Sequence, residues 1–122
     1  MKPFLSSAAL LLIACLNVRA TEGLIFSGGG YTLNILIGMA PDPIVGQVQF
    51  TPPVAKHWVI LPSELLHIEK FDMKKRVLTM HFSNKNNPDL PPSFSLSVKK
   101  TKAVLSISGK EIKSDEEFNW EI

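Results

Sequence analysis

Disulfide chemistry is closed to this chain. Its 122 residues hold a single cysteine, Cys15, so no intramolecular bridge can form and the fold must rest on packing alone, whereas small exported domains often lean on several bridges. The acceptor pattern Asn-x-Ser/Thr is missing as well, since Asn17, Asn34, Asn84, Asn86, Asn87 and Asn119 all fail at the third position. Nucleotide-binding loops of the Gly-x-x-x-x-Gly-Lys type and Gly-x-Ser-x-Gly nucleophile elbows do not occur. After the first twenty residues no apolar run approaches the roughly 20 residues that a membrane-spanning helix needs. Internal repeats, heptads and a linker that would divide the chain are also missing.

What is present begins with an N-terminal targeting pattern. Lys2 supplies a short positive region, Leu5 to Ala14 an apolar stretch, and Val18-Arg19-Ala20 a small-residue cleavage site. The sequence therefore predicts a signal peptide over residues 1–20 and a single domain over 21–122. The string Leu12-Ile13-Ala14-Cys15 resembles the lipobox of bacterial lipoproteins. That resemblance implies a signal of residues 1–14, with Cys15 as the lipidated, membrane-anchored mature N-terminus. Cleavage after Ala20 is the alternative and would discard the cysteine. Either way the protein is expected in the periplasm or envelope, or else secreted. The missing bridges and glycosylation sites favour a bacterial envelope.

Charge of one sign is scarce once the signal is set aside. Of the 13 Lys and Arg, Lys2 and Arg19 fall within it, and the remaining 11 equal the 11 Asp and Glu. The positive balance of the whole chain is therefore no argument for a nucleic-acid partner. Residues 70 to 113 nevertheless carry ten Lys or Arg against Asp72, Asp89 and Glu111, and the acidic Asp115, Glu116, Glu117 and Glu121 follow. The tail is expected to fold back beside the basic strands.

From Leu24 onward the chain reads as short strands. Leu24-Ile25-Phe26 and Tyr31 to Ile37 flank Gly28-Gly29-Gly30, the pattern of a hairpin. Ile44, Val48 and Phe50 alternate with glutamines. Val54 to Leu61 forms a further apolar run around His57 and Trp58. Residues 63–76 admit two readings, a short helix capped by Ser63 or a hairpin in which Leu66 to Phe71 turns through Asp72 to Lys75 and pairs with Val77 to Phe82. Phe94, Leu96 and Val98, then Ala103, Leu105 and Ile107, alternate clearly, and Phe118, Trp120 and Ile122 suggest a docked last strand. The expected fold is all-β, an antiparallel β-sandwich or small barrel of about 7–9 short strands.

Chemistry finds little footing in the sequence. Ser27-Gly28-Gly29-Gly30 reads as a turn, and Ser97-Val98-Lys99-Lys100 fits Ser-x-x-Lys without its companion motifs. His57, His67 and His81 lack the spacing of a zinc motif, although a hairpin would bring His67 near His81. No catalytic residue, metal or cofactor is assigned. The expectation is a non-enzymatic protein-binding module of the envelope, such as an inhibitor or an immunity protein against a toxin. Its contact residues would be Lys70, Lys74, Lys75, Arg76, Asn84, Lys85, Asn86, Asn87, Lys99, Lys100 and Lys102, because loops and charge patches gather recognition. No nucleic acid is expected, and contact with a membrane only through an N-terminal lipid. The alternative is a periplasmic carrier of a small apolar ligand or lipid, enclosed by residues such as Phe50, Trp58, Leu96 and Trp120.

Overall fold

The computed structural model describes residues 21–39, 41–54 and 57–121. The expected signal peptide and Cys15 lie outside them. Nine strands are present among the described residues: β1 (Thr21–Gly28), β2 (Tyr31–Gly38), β3 (Ile44–Thr51), β4 (Val59–Ile60), β5 (Leu66–Asp72), β6 (Val77–Phe82), β7 (Phe94–Lys99), β8 (Lys102–Ile107) and β9 (Lys110–Lys113). They form two antiparallel meanders, a four-stranded sheet in the order β1-β2-β3-β4 and a five-stranded sheet in the order β9-β8-β7-β6-β5. The arrangement is a β-sandwich, as the alternating pattern predicts.

Local chemistry explains the turns. Gly29 and Gly30 take φ of 57° and 85° between the paired Gly28 and Tyr31, so β1 and β2 are joined by a two-residue turn that needs positive φ twice and therefore favours glycine. Between β5 and β6, the Asp72 carboxylate accepts the backbone N–H of Lys74 and of Lys75 at 2.9 and 3.0 Å, which closes the turn by a side chain. Residues 63–76 thus form a hairpin preceded by a single 3₁₀ turn, Ser63–Leu65.

The core comes from the inward faces of both sheets. Leu24, Phe26, Leu33, Ile35, Val48 and Phe50 of the first sheet meet Leu78, Met80, Phe82, Phe94, Leu96 and Leu105 of the second, all buried. Phe50 stacks across the interface on Phe94, which stacks in turn on Phe82 of its own sheet, each with centroids 5.4 Å apart. One seam of the sandwich is closed by the C-terminal segment, where Asp115 N–H donates to Ser27 O at 2.7 Å, Phe118 N–H to Thr101 O at 2.8 Å and the Trp120 indole to Lys100 O at 2.6 Å. Phe118 and Trp120 are docked and buried, but in irregular chain and not in the expected strand; Ile122 lies outside the described residues.

Three further expectations are corrected. Ile44 is 61% exposed because the ladder slips between Leu36 and Ile37, which turns Val45 inward in its place. The Val54–Leu61 run yields only the two-residue β4, with Val54 96% exposed. Trp58 stands half in solvent, whereas Phe50, Leu96 and Trp120 are buried in the packed core, so these four do not enclose one cavity.

Candidate functional site

The predicted contact residues fall at opposite ends of the second sheet. Lys74, Lys75 and Arg76 occupy the β5–β6 turn, and Lys100 sits in the β7–β8 turn between Lys99 and Lys102. A backbone bond from Lys100 N–H to Arg76 O at 2.7 Å holds the two turns side by side, so these six cations gather at one end. Lys70 points outward from β5 nearby. Asn84, Lys85, Asn86 and Asn87 belong to the β6–β7 connection at the other end, separated by the length of six-residue β6, about 20 Å at roughly 3.3 Å per residue. One compact epitope cannot include both groups.

The basic end is tempered by the tail, as expected. Glu116 and Glu117 line one groove with Lys102 and Lys113, and Glu117 and Glu121 line another with Arg76. No Lys or Arg approaches a carboxylate within 4 Å among the described residues, so the opposed charges lower the local field without forming ion pairs.

The loop end is held differently. The Asn84 side-chain amide donates to the carbonyls of Asn87, Leu90 and Pro91 at 3.0, 3.3 and 2.7 Å, while its oxygen accepts the Asn87 N–H at 2.7 Å. Asn84 N–H donates to Ser93 Oγ at 2.8 Å, and Asn87 Oδ1 accepts from Asp89 N–H at 2.8 Å. An irregular loop is thereby fixed from within, while Lys85, Asn86, Asn87, Pro88 and Asp89 stay exposed. Pro88 to Pro92 line a cleft with Tyr31, Phe50, Pro52 and Val59. Trp58, which precedes Val59 in the chain, is 54% exposed.

A third feature lies on the outer face of the second sheet. His67, His81, Ser95, Ser106 and Glu111 are directly opposite one another across β5 to β9. The rings of His67 and His81 lie 15° from parallel with centroids 6.2 Å apart, so the hairpin does bring the two histidines together. His81 Nδ1 is 2.7 Å from Ser95 Oγ, and His81 Nε2 is 2.7 Å from Glu69 Oε1. The hydrogen bond from His81 holds the Glu69 carboxyl below its usual value, against an opposing desolvation and with smaller help from the charges of His81, His67 and Lys70.

This chain of acid, imidazole and hydroxyl can pass a proton along itself. Acyl transfer also needs backbone N–H donors aimed at an oxyanion. Ser95 lies in β7, flanked by β6 and β8, and a strand paired on both sides uses its donors in the ladder. The row also borders an open cleft of about 600 Å³ with Lys110 in its lining; His67, Glu69 and Glu111 are exposed and His81, Ser95 and Ser106 half-buried. It is a polar surface network. Among the described residues no cluster of three or more His, Cys, Asp or Glu is placed to hold a metal.

Glu69, Ser95 and the exposed face of Trp58 were not singled out from the sequence. The His67–His81 register follows from the hairpin turn, but Ser95 reaches His81 only across a loop of eleven residues, 83–93, whose span has no periodic signal. No protein-family model, no curated protein and no solved structure shows a significant match to the chain.

Proposed function

We propose that this protein is an exported, non-enzymatic binding module of the bacterial envelope, in the manner of an inhibitor or immunity protein, and that it recognises a protein partner through its loop end. The observation that carries the reading is the Asn84-braced loop, whose prolines line a cleft with Val59, the chain neighbour of the half-exposed Trp58. A loop ordered before binding loses little conformational freedom in the complex, and tryptophan is among the residues most enriched at interface hot spots. Asn86 has φ of 67°, so the loop presents its exposed amides in a conformation that a flexible strand would rarely hold. The loop residues Asn84, Lys85, Asn86 and Asn87 remain in the proposed contact surface; the lysines of the other end form a separate surface that steers association at most.

Export rests on the signal pattern of residues 1–20, and anchoring on the four-residue lipobox resemblance at Cys15. With the typical bilayer contribution of about 0.8 kcal/mol per buried CH₂, acylation at Cys15 would tether the module to a membrane. Intact mass of the mature protein distinguishes an acylated Cys15 from a free N-terminus at Thr21.

The binding test is affinity capture from envelope extracts at several salt concentrations. Wild type should return one dominant protein that Trp58→Ala loses while keeping its thermal midpoint. A clean negative for wild type at every salt concentration sinks the reading, as does a partner that Trp58→Ala and Asn86→Ala both retain in full.

A further inference from the structure

β5 is the free edge of the five-stranded sheet: it pairs with β6 on one side, and among the described residues no backbone hydrogen bond reaches its other side. Such an edge is a template for another strand unless charge or irregularity restricts what can join it. β5 carries both devices. Ile68 opposes Met80 and Lys70 opposes Thr79, so Glu69 has no partner of its own and forms a bulge. Exposed His67, Glu69 and Lys70 line the outer face, while Leu66, Ile68, Phe71 and the following Met73 pack against the core and remain only partly covered.

The order of these residues is self-complementary about the point between Glu69 and Lys70. Counting outward from it, acidic Glu69 is matched by basic Lys70, Ile68 by Phe71, His67 by Asp72 and Leu66 by Met73. In a regular strand this symmetry would be useless, because Glu69 and Lys70 would face opposite sides of the sheet. The bulge removes that obstacle. It shifts the alternation by one residue, so Ile68 and Phe71 both face inward, opposite Met80 and Leu78, and His67 and Asp72 both face outward, opposite His81 and Val77.

We infer that β5 pairs antiparallel with β5 of a second copy of this chain, across a two-fold axis between Glu69 and Lys70, to make one continuous ten-stranded sheet. Each copy then sets Glu69 against Lys70 of the other and His67 against Asp72. Ile68 meets Phe71 and Leu66 meets Met73 on the inward face, where the half-covered apolar side chains of one edge close over those of the other. Exposed ion pairs contribute little affinity, but here they select the occupant. A copy sliding out of register, or an unrelated strand, loses the charge match that the two-fold arrangement supplies. The pairing is isologous and closes on itself, so it ends at two copies and does not run on as a fibre.

Sedimentation velocity on the mature protein, over a series reaching about 100 µM so that a dissociation constant of that order is detected, tests the inference. Wild type should dimerise. Lys70→Glu and Glu69→Lys each place like charges on both sides of the axis and should raise the dissociation constant at least about tenfold. An equimolar mixture of the two variants restores both opposite-charge contacts and should form a heterodimer near wild-type affinity, as should the homodimer of the double swap E69K/K70E. Lys70→Glu leaves the Glu69–His81 bond intact, so it decides the matter alone should Glu69→Lys fail to fold. A wild type that stays monomeric throughout overturns the inference, as does a dimer indifferent to Lys70→Glu or a folded pair of single variants that do not recombine.

Discussion

Gly28 occupies a point where a side chain has no room. A Cβ there would overlap the Lys113 carbonyl oxygen and lie 2.9 Å from Phe26 Cζ, at the seam where β1 meets the end of β9. Gly28→Ala should therefore cost about 1–3 kcal/mol through forced shifts in both sheets, read as a lower urea midpoint at unchanged slope. Trp120 carries two separable contributions. Trp120→Phe removes only the 2.6 Å bond to Lys100 O and should cost about 1 kcal/mol, whereas Trp120→Ala also empties a buried site and should cost about 3–5 kcal/mol. Glu69 sets a pH signature. Its carboxyl titrates below the ordinary 4.5 in the folded protein, so its contribution is fully present above that pH and is lost as pH falls through the lower folded value. The stability difference between wild type and Glu69→Gln should accordingly shrink as pH falls below about 4.5; a difference that grows there would contradict the assignment.

Elements reveal where a period-two reading holds and where it slips. β6, β7 and β8 bury every second residue along their length, and their pattern is visible in the sequence because one face is wet and the other dry. β3 and β5 each contain an irregularity, and each moves residues off the face that alternation assigns: Ile44 outward, Val45 inward. The slip in β3 falls on Gly46, which is left without a partner and as a lone glycine inside a strand pattern marks a bulge, whereas the slip at Glu69 in β5 carries no such mark. β9 is hard to see for a related reason, since Lys110-Glu111-Ile112-Lys113 has a single apolar residue and becomes a strand only by pairing with β8. The Asn84 loop supplies its own test. Removing the side chain that braces four backbone groups, as in Asn84→Ala, should make residues 85–92 the first site cut by a broad-specificity protease, while the global midpoint falls by no more than about 1–2 kcal/mol.

For the molecule as a whole, the balance of 11 basic and 11 acidic residues from Thr21 onward and the lack of Lys or Arg ion pairs among the described residues leave packing as the main source of stability. Raising NaCl from about 0.01 to 0.15 M, which shortens the Debye length from about 30 to 8 Å, should move Tm by less than about 2 °C. A larger shift would mean that the lysine turns and the acidic tail are coupled more strongly than their separation implies. The sequence by itself determined the fold class, the strands β6, β7 and β8 and the return of the acidic tail, and offered the hairpin that sets His67 beside His81 as one of two readings, because hydrophobic period and turn chemistry act between near neighbours in the chain. Only the tertiary structure decided that the lysine turns and the asparagine loop lie at opposite ends, that Trp58 faces solvent and that Ser95 completes a chain with His81 and Glu69. Those facts depend on which strands lie side by side and on where a ladder slips by one residue, and such registers are set by the packing of the whole core.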